Sequence, residues 1–476
     1  MRGNTEVVTN VKTASAENGL EDERPTSPVA LIVICVGYFL VILDATVVNV
    51  ALPSMGRDLH GGTSDLQWVV DAYTLTFAGL LLSGGALAER LGGRRIFEAG
   101  LLLFALSSAV CGLSPTLGIL IGARLVQGLG AALLVPSSLV LLQAAYPTRE
   151  GRSRAFGIWG AIAGIGAATG PIIGGLLVSS WSWRGVFFIN LPFAVAALVL
   201  AGRFVPVTPR RARALDLSGQ LLAIAGLGLL TGALVEAGRL GWASPLVLAG
   251  FALAAASLLA FGIVERRSSD PMLPLGLFSH PSFRSGSSVG LLINLGLYGQ
   301  LFVMSLYFQD VRGYSALQTG LALLPEAGLL VVASALSGRI MARSGPRLPM
   351  LIGLVIGGAG LLGVATTGAH TSYVTLIAPL AAAGFGMALT MPAATASVME
   401  AAPGDRGGIA SGVVNAARQT GSVLGVALLG TLVTGGTSFI VGLHIGLVIA
   451  AGAFFAGAII TFVGIDRYRS SPTTSS

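Results

Sequence analysis

Five charged side chains lie well inside long apolar runs, away from their ends, where a chain seldom places charge: Asp44, Asp71, Arg124, Glu326 and Arg418. An ionised side chain at the centre of a lipid-embedded helix costs about 2.5–3.5 kcal/mol on insertion scales, so each needs a partner or a task. A buried carboxyl can take up and release a proton, and a guanidinium beside it lowers its pKa. The chemistry open to these residues is therefore proton binding coupled to a change of surroundings. Asn294, Gln300, Asn415 and Gln419 add neutral hydrogen-bonding groups to the same runs, as candidates for a cavity wall.

The elements that carry these residues follow from composition. Hydrophobic residues make up 54% of the 476, charged residues only 10%, and mean hydropathy is +0.82. Soluble domains carry roughly 25% charged residues, so lipid must be the main solvent of this chain. About 20 apolar residues span a bilayer as a helix. Fourteen such runs occur: 29–52, 66–87, 96–114, 117–145, 155–180, 186–205, 217–236, 244–264, 286–308, 316–341, 348–367, 373–399, 407–433 and 440–464. Residues 1–28 are polar, with an acidic Glu21–Glu23 cluster, and are expected to form a disordered tail rather than a signal peptide.

Arginine placement orients the spans. With the N-terminus inside, 22 basic residues fall on the inner side and four (Arg57, Arg184, Arg239, Arg312) outside, so both termini are expected to be cytoplasmic. The formal charge of +7 thus resides in inner loops and marks topology; no nucleic-acid partner is implied. The segment Gly85–Arg94 aligns with Gly338–Arg347, keeping two glycines and two arginines in register after spans of the same direction. Parallel repeats of this kind place a transport site between two rocking halves. The expected division is a six-helix bundle at 29–205, a linker with two inserted helices at 206–264 and a loop at 265–285. A second six-helix bundle at 286–465 and a tail at 466–476 complete it.

Depth along the spans suggests partners. Asp44 is fifteen residues into the first span, ~22 Å from the inner surface, and Arg124 is seven residues into the fourth, ~10 Å below the outer one. In a ~30 Å core these heights agree, so Asp44 is expected to face Arg124. The pair is either a proton switch or a permanent structural ion pair. Asp71 is at a similar height and either joins this cluster or is solvated near the mouth. Glu326 and Arg418 also share a height, which does not establish adjacency; Glu326 either attracts cationic substrates or is a packed, protonated carboxyl.

Other energy sources and chemistries are poorly served. A phosphate-binding loop needs a lysine, and the only one is Lys12 in the tail. One charge crossing ~150 mV gains about 3.5 kcal/mol, so a proton gradient would suffice. Cys35 and Cys111 lie in apolar runs, and the four histidines have no ligand spacing, so neither a metal site nor another cofactor is expected.

Several motifs resemble the major facilitator superfamily, in particular its fourteen-helix drug–proton antiporter branch. The first span carries Leu43-Asp44-Ala-Thr-Val-Val-Asn49-Val-Ala-Leu-Pro53. The loop after the second span carries Gly85, Leu87, Glu89, Arg90, Gly92 and Arg94 of the superfamily's pattern, with Glu89 for the usual aspartate and Gly93 for a basic residue. The fourth span has Arg124-x-x-Gln127-Gly128-x-Gly130, and the fifth has Gly166, Gly170, Pro171, Gly174 and Gly175. Trp183-Arg184-x-x-Phe187-x-Ile189-Asn190-x-Pro192 follows.

The resemblance implies an all-α, fourteen-helix exporter of small amphipathic or cationic drugs or antibiotics in exchange for protons, a bacterial cell-membrane location and a monomer. It also implies a proton-transfer role for Arg124 and an antiporter role for the fifth-span glycines. Gly85, Glu89, Arg90, Gly92 and Arg94 read as a conformational latch, pairing Arg90 and Arg94 with Glu89 or with the opposite half, or else as topology signals alone. The use of 27 arginines against one lysine fits a high-GC bacterial genome. Two other readings remain: a symporter importing a nutrient, and a membrane sensor or enzyme.

Overall fold

Lipid offers no partner to backbone N–H and C=O groups, so apolar runs of this length fold as helices that satisfy themselves. The computed structural model describes residues 28–465 apart from 147, 209, 211–215, 269–270, 272, 274, 403–406 and 435–437. The tails at 1–27 and 466–476 lie outside the described residues. Fourteen helices are long and apolar enough to cross a membrane. The first eight are α1 (Pro28–Leu59), α2 (Thr63–Leu91), α3 (Gly93–Leu113), α4 (Leu117–Ala145), α5 (Arg149–Ser180), α6 (Gly185–Phe204), α7 (Leu217–Leu240) and α8 (Pro245–Arg267). The remainder are α9 (Pro281–Val311), α10 (Ala316–Ser344, in pieces), α11 (Arg347–Val364), α12 (Tyr373–Ala401), α13 (Gly407–Thr434) and α14 (Phe439–Gly464).

Three of the described helices are irregular, the first being α6, which runs as Gly185–Phe188 and Asn190–Phe204. The last turn of α9, Tyr307–Val311, is π-helical. α10 runs as Ala316–Ala322, Leu324–Gly328 and Leu330–Ser344. Pro325 opens the middle piece, where its missing N–H costs least.

The two halves repeat one packing scheme. α1 packs on α5 and α6, and α4 packs on α2 and α3, with α3 also on α6. In the second half α9 packs on α13 and α14, α12 on α10 and α11, and α11 on α14. The sequence repeat marks equivalent joints. Arg94 Nη1 donates to Val205 O at 3.2 Å and Nη2 to Gly202 O, closing the C-terminal end of α6. Its counterpart Arg347 donates to Phe462 O at 2.7 Å, at the C-terminal end of α14. Both arginines supply positive charge where a helix ends in unpaired carbonyls.

The halves meet along α2–α13 and α5–α10. α7 packs on α2, α13 and α8, whereas α8 rests chiefly on α7. Odd-numbered helices start at the face that holds Pro28 and Gly464, the terminal face. At the opposite face the halves are closed. Gln67 Nε2 donates to Val426 O (3.2 Å) and Ala427 O (2.9 Å), and Gln309 Nε2 to Val50 O (2.8 Å). Leu317 N donates to Ser179 Oγ at 3.1 Å, and Arg57 pairs with Asp310 at 3.6 Å. Gly175 admits the Ala316–Leu317 backbone, and Gly320 admits Pro171 O. On that same face of α5, Gly164 and Gly157 lie one and two heptads nearer the terminal face and meet nothing within 4 Å. α5 and α10 thus pack closely near the opposite face and leave these two glycines, nearer the terminal face, without a close neighbour.

Candidate functional site

The best-ordered polar cluster is built on Asp44 of α1, which is 0% exposed. Arg124 and Gln127 are three residues apart on α4 and so share a face. Gly128, one turn from Arg124, and Gly130, one turn from Gln127, flank the two donors and let the α2 backbone and the Phe104 backbone of α3 approach, at 2.9 Å from a Gly130 Cβ to Phe104 N. The motif spacing thus turns two donors towards α1 and packs α4 tightly against α2 and α3.

Arg124 Nη1 forms an ion pair with Asp44 Oδ2. Gln127 Nε2 (3.0 Å) and Asn190 Nδ2 (3.1 Å) both donate to Asp44 Oδ1. Arg124 also donates to Gln127 Oε1 at 2.8 Å and, through Nε, to Val69 O at 3.0 Å. Its guanidinium lies 4.2 Å from the centroid of the Tyr73 ring. Ser108 Oγ accepts from Asn190 (3.0 Å) and Gln127 (3.3 Å) and donates to Phe187 O (2.9 Å). Asp44 thus receives three donors, from Arg124, Gln127 and Asn190. Breaking such a buried pair is costly, because it strands a charge.

The cluster borders a cavity between the halves. Val41, Ala45, Tyr73, Phe77 and Arg124 line it from one side, and Tyr298 and Gln419 from the other.

The remaining candidates divide. Asp71 does not join the Asp44 cluster. At 100° per residue, Val69 and Tyr73, which meet Arg124, lie on the far side of α2 from position 71. Asp71 instead shares a face with Gln67, which reaches α13; it is 0% exposed, and neither carboxyl oxygen has a hydrogen-bond partner among the described residues. Glu326 is buried in the broken part of α10 and accepts from Gln300 Nε2 at 2.9 Å. It forms no ion pair with Arg418 among the described residues, since an equal height on two helices does not fix their facing. Asn294 donates one amide N–H to Gly290 O of its own helix (2.8 Å) and Asn415 one to Ser411 O (3.0 Å).

The residues after α2 serve their own half in this state. Arg94 also pairs with Glu98 at 2.8 Å, and Arg90 is exposed. Glu98 and the carbonyls of Gly202 and Val205, which accept from Arg94, all belong to its own half. Gly92 has φ +100°, so it supplies the left-handed turn between α2 and α3, and Gly85 sits 3.5 Å from Pro136. In α5, Gly166, Gly170 and Gly174 admit α1, with Val47 O 2.7 Å from a Gly174 Cβ, while Pro171 and Gly175 face α10.

Gln127, Asn190 and Ser108 complete the site without having been singled out as site residues. The first two lie in the quoted motifs, which was the available signal; a serine in an apolar helix carries none.

Comparison with known proteins agrees with this architecture. The chain is 40% identical over 408 residues to the multidrug resistance protein Stp of Mycobacterium tuberculosis, covering 86% of this chain and 76% of that protein. It is 36% identical over 456 residues to the methylenomycin A resistance protein of Streptomyces coelicolor, covering 96% of both. It is 38% identical over 441 residues to the cephamycin export protein CmcT of Amycolatopsis lactamdurans, covering 90% of both. Among solved structures, a bacterial homologue of the human lysosomal transporter Spinster superposes with a TM-score of 0.67 at 17% identity, covering 94% of this chain and all of that one. The Major Facilitator Superfamily model matches residues 34–426. With fourteen membrane-spanning helices in a twofold-repeated arrangement, the chain belongs to the Major Facilitator Superfamily of multi-pass membrane transporters.

Proposed function

We propose that this protein is a bacterial multidrug or antibiotic exporter that moves small amphipathic compounds outward in exchange for protons. The observation that carries the reading is the Asp44–Arg124 pair, buried inside the membrane span and bordering the cavity between the halves. The resistance and export names of its relatives favour outward transport over nutrient import.

In this reading the opposite face is closed in the state described, and the terminal face opens between α5 and α10, where Gly164 and Gly157 have no close neighbour. The excess of arginine at the terminal face makes that face cytoplasmic. A compound enters the cavity from the inside while Asp44 is ionised and held by Arg124, Gln127 and Asn190. As the halves rock, Gln67, Gln309 and the Gly175–Gly320 contact release, and the cavity opens outward. A proton arriving from outside neutralises Asp44, weakens its hold on Arg124 and drives the return. Arg90 and its neighbours close the cytoplasmic side in the outward-open state. Asp71, buried at the α2–α13 seam, is a second carboxyl for proton traffic, and Glu326, Gln300 and Gln419 belong to the cavity.

Everted membrane vesicles test the direction. With an imposed proton gradient, acid inside, they accumulate drug if the protein is an exporter. Loss of preloaded drug under the same gradient would show import by symport, and no movement either way would remove transport.

A further inference from the structure

We infer that Arg418 is the binding group for an anionic moiety, a carboxylate above all, on the exported compound. The inference rests on the transport reading and deepens it by naming a substrate class.

Arg418 lies eleven residues into α13, about 16 Å from the terminal face, inside the membrane span. Its guanidinium makes no hydrogen bond or ion pair among the described residues, and its Nε is buried without a partner. None of the interior carboxyl groups forms an ion pair with Arg418 among the described residues. Asp44 is taken by Arg124, Glu326 by Gln300, and Asp71 is turned into the α2–α13 seam. Arg418 is half-buried, and its charge meets no counter-charge among the described residues until an anion arrives. Planar, bidentate recognition of carboxylate is what a guanidinium does best.

The surroundings are those of a ligand wall. Gln419, the next residue, and Tyr298 line the central cavity, and Arg418 is near enough to Tyr298 and Tyr38 to act on both electrostatically. Tyr38 stacks on Trp159 with ring centroids 3.7 Å apart and planes 6° apart. The Trp159 indole is fixed by donating to Ser138 Oγ at 3.1 Å. Tyr38 and Trp159 lie ten residues into α1 and α5, so they share the height of Arg418. Gly290 of α9 gives the Arg418 stem its room, as a Cβ there would stand 3.3 Å from Arg418 Cγ. One unpaired cation thus shares a level with a rigid aromatic pair. The complementary ligand has an apolar or aromatic body and a single acidic group.

The test uses three probes with one aromatic body: 1-pyrenebutyrate, its methyl ester and a pyrenylbutyl-trimethylammonium salt. Binding to the full-length protein in lipid nanodiscs is read from tryptophan-to-pyrene energy transfer, with empty nanodiscs subtracted. Wild type should bind the carboxylate at least about tenfold more tightly than the ester, the strength of one charge-assisted contact. Arg418→Gln should bring the carboxylate down to the ester's affinity and leave the ester within about twofold, while Arg418→Lys keeps part of the preference. Equal binding of acid and ester to wild type, stronger binding of the ammonium salt, or no binding of any probe would overturn the inference. Equal weakening of acid and ester by Arg418→Gln would do so too, reporting a structural role. Vesicle transport separates the two readings: Arg418-dependent acid binding without proton-driven movement refutes export and leaves the anion site standing.

Discussion

Asp44 and Arg124, 80 residues apart in sequence, form an ion pair in which the two side chains are 0% and 1% exposed. Few proteins can afford such a pair unless it has a use, because desolvation offsets much of the attraction. The surrounding amides of Gln127 and Asn190 spread the cost over further hydrogen bonds and fix the carboxylate's direction. Neutralising Asp44 would therefore alter a network that touches α1, α4 and α6 at once.

Stability and transport should separate at this pair. Arg124→Gln alone strands the Asp44 carboxylate and should destabilise the protein by about 3–5 kcal/mol. Adding Asp44→Asn removes the stranded charge and should recover most of that loss. Proton-driven transport should stay absent in the double variant. Thermal unfolding in detergent, read beside vesicle transport, checks both statements; a double variant that transports normally would reduce the pair to a structural one.

The closed face depends on a few side chains. Gln67→Leu and Gln309→Leu each remove hydrogen bonds between the halves, worth roughly 0.5–1.5 kcal/mol apiece. The double variant should shift the protein towards the state open at that face. Distances between spin labels on the α1–α2 and α9–α10 loops should lengthen, and an unchanged distribution would show that apolar packing holds the gate.

Glycines of α5 should fall into two classes. A valine at Gly175 meets Ala316 O and Leu317 Cα of the other half at 2.6 and 2.7 Å, so Gly175→Val opposes closure of one state and should trap the other. A valine at Gly174 meets Val47 of α1 in the same half, with Val47 O at 2.7 Å, whichever state the protein adopts. Gly174→Val should therefore lower expression and thermal stability, whereas Gly175→Val should leave the fold intact and stop turnover. Similar losses of stability in both would remove the distinction.

Arg94 and Arg347 should act alike, since each binds carbonyls at the end of the sixth helix of its half. Alanine at either should cost about 0.5–1.5 kcal/mol, from lost hydrogen bonds and dipole compensation. A variant that lowers transport far more than thermal stability would give that arginine a gating role besides.

Which features were legible in the sequence follows from what each depends on. The helices depend on run length and hydropathy, which a sequence displays directly. The Asp44–Arg124 contact was legible because height along a span is countable and ionisable residues at that height are few. Azimuth is not countable in the same way: Asp71 has the right height but faces α13, 200° around α2 from Val69. Asn294 reads as a cavity residue by type, and the bond one amide N–H makes to Gly290 O, one turn away on its own helix, leaves no mark in the sequence. The arginine repeat was visible, but its acceptors are backbone carbonyls, which leave no mark in the sequence. Pro325 signals the break at Leu323, where it opens the middle piece of α10.

Coupling is tested most directly by proton-driven uptake and exchange in one set of proteoliposomes, comparing wild type with Asp44→Asn. Wild type should accumulate drug against its gradient when a proton gradient is imposed. Asp44→Asn should lose that accumulation at least about tenfold while still exchanging labelled for unlabelled drug, because the cavity remains. Uphill accumulation by Asp44→Asn at the wild-type level would contradict a proton carried on this carboxyl.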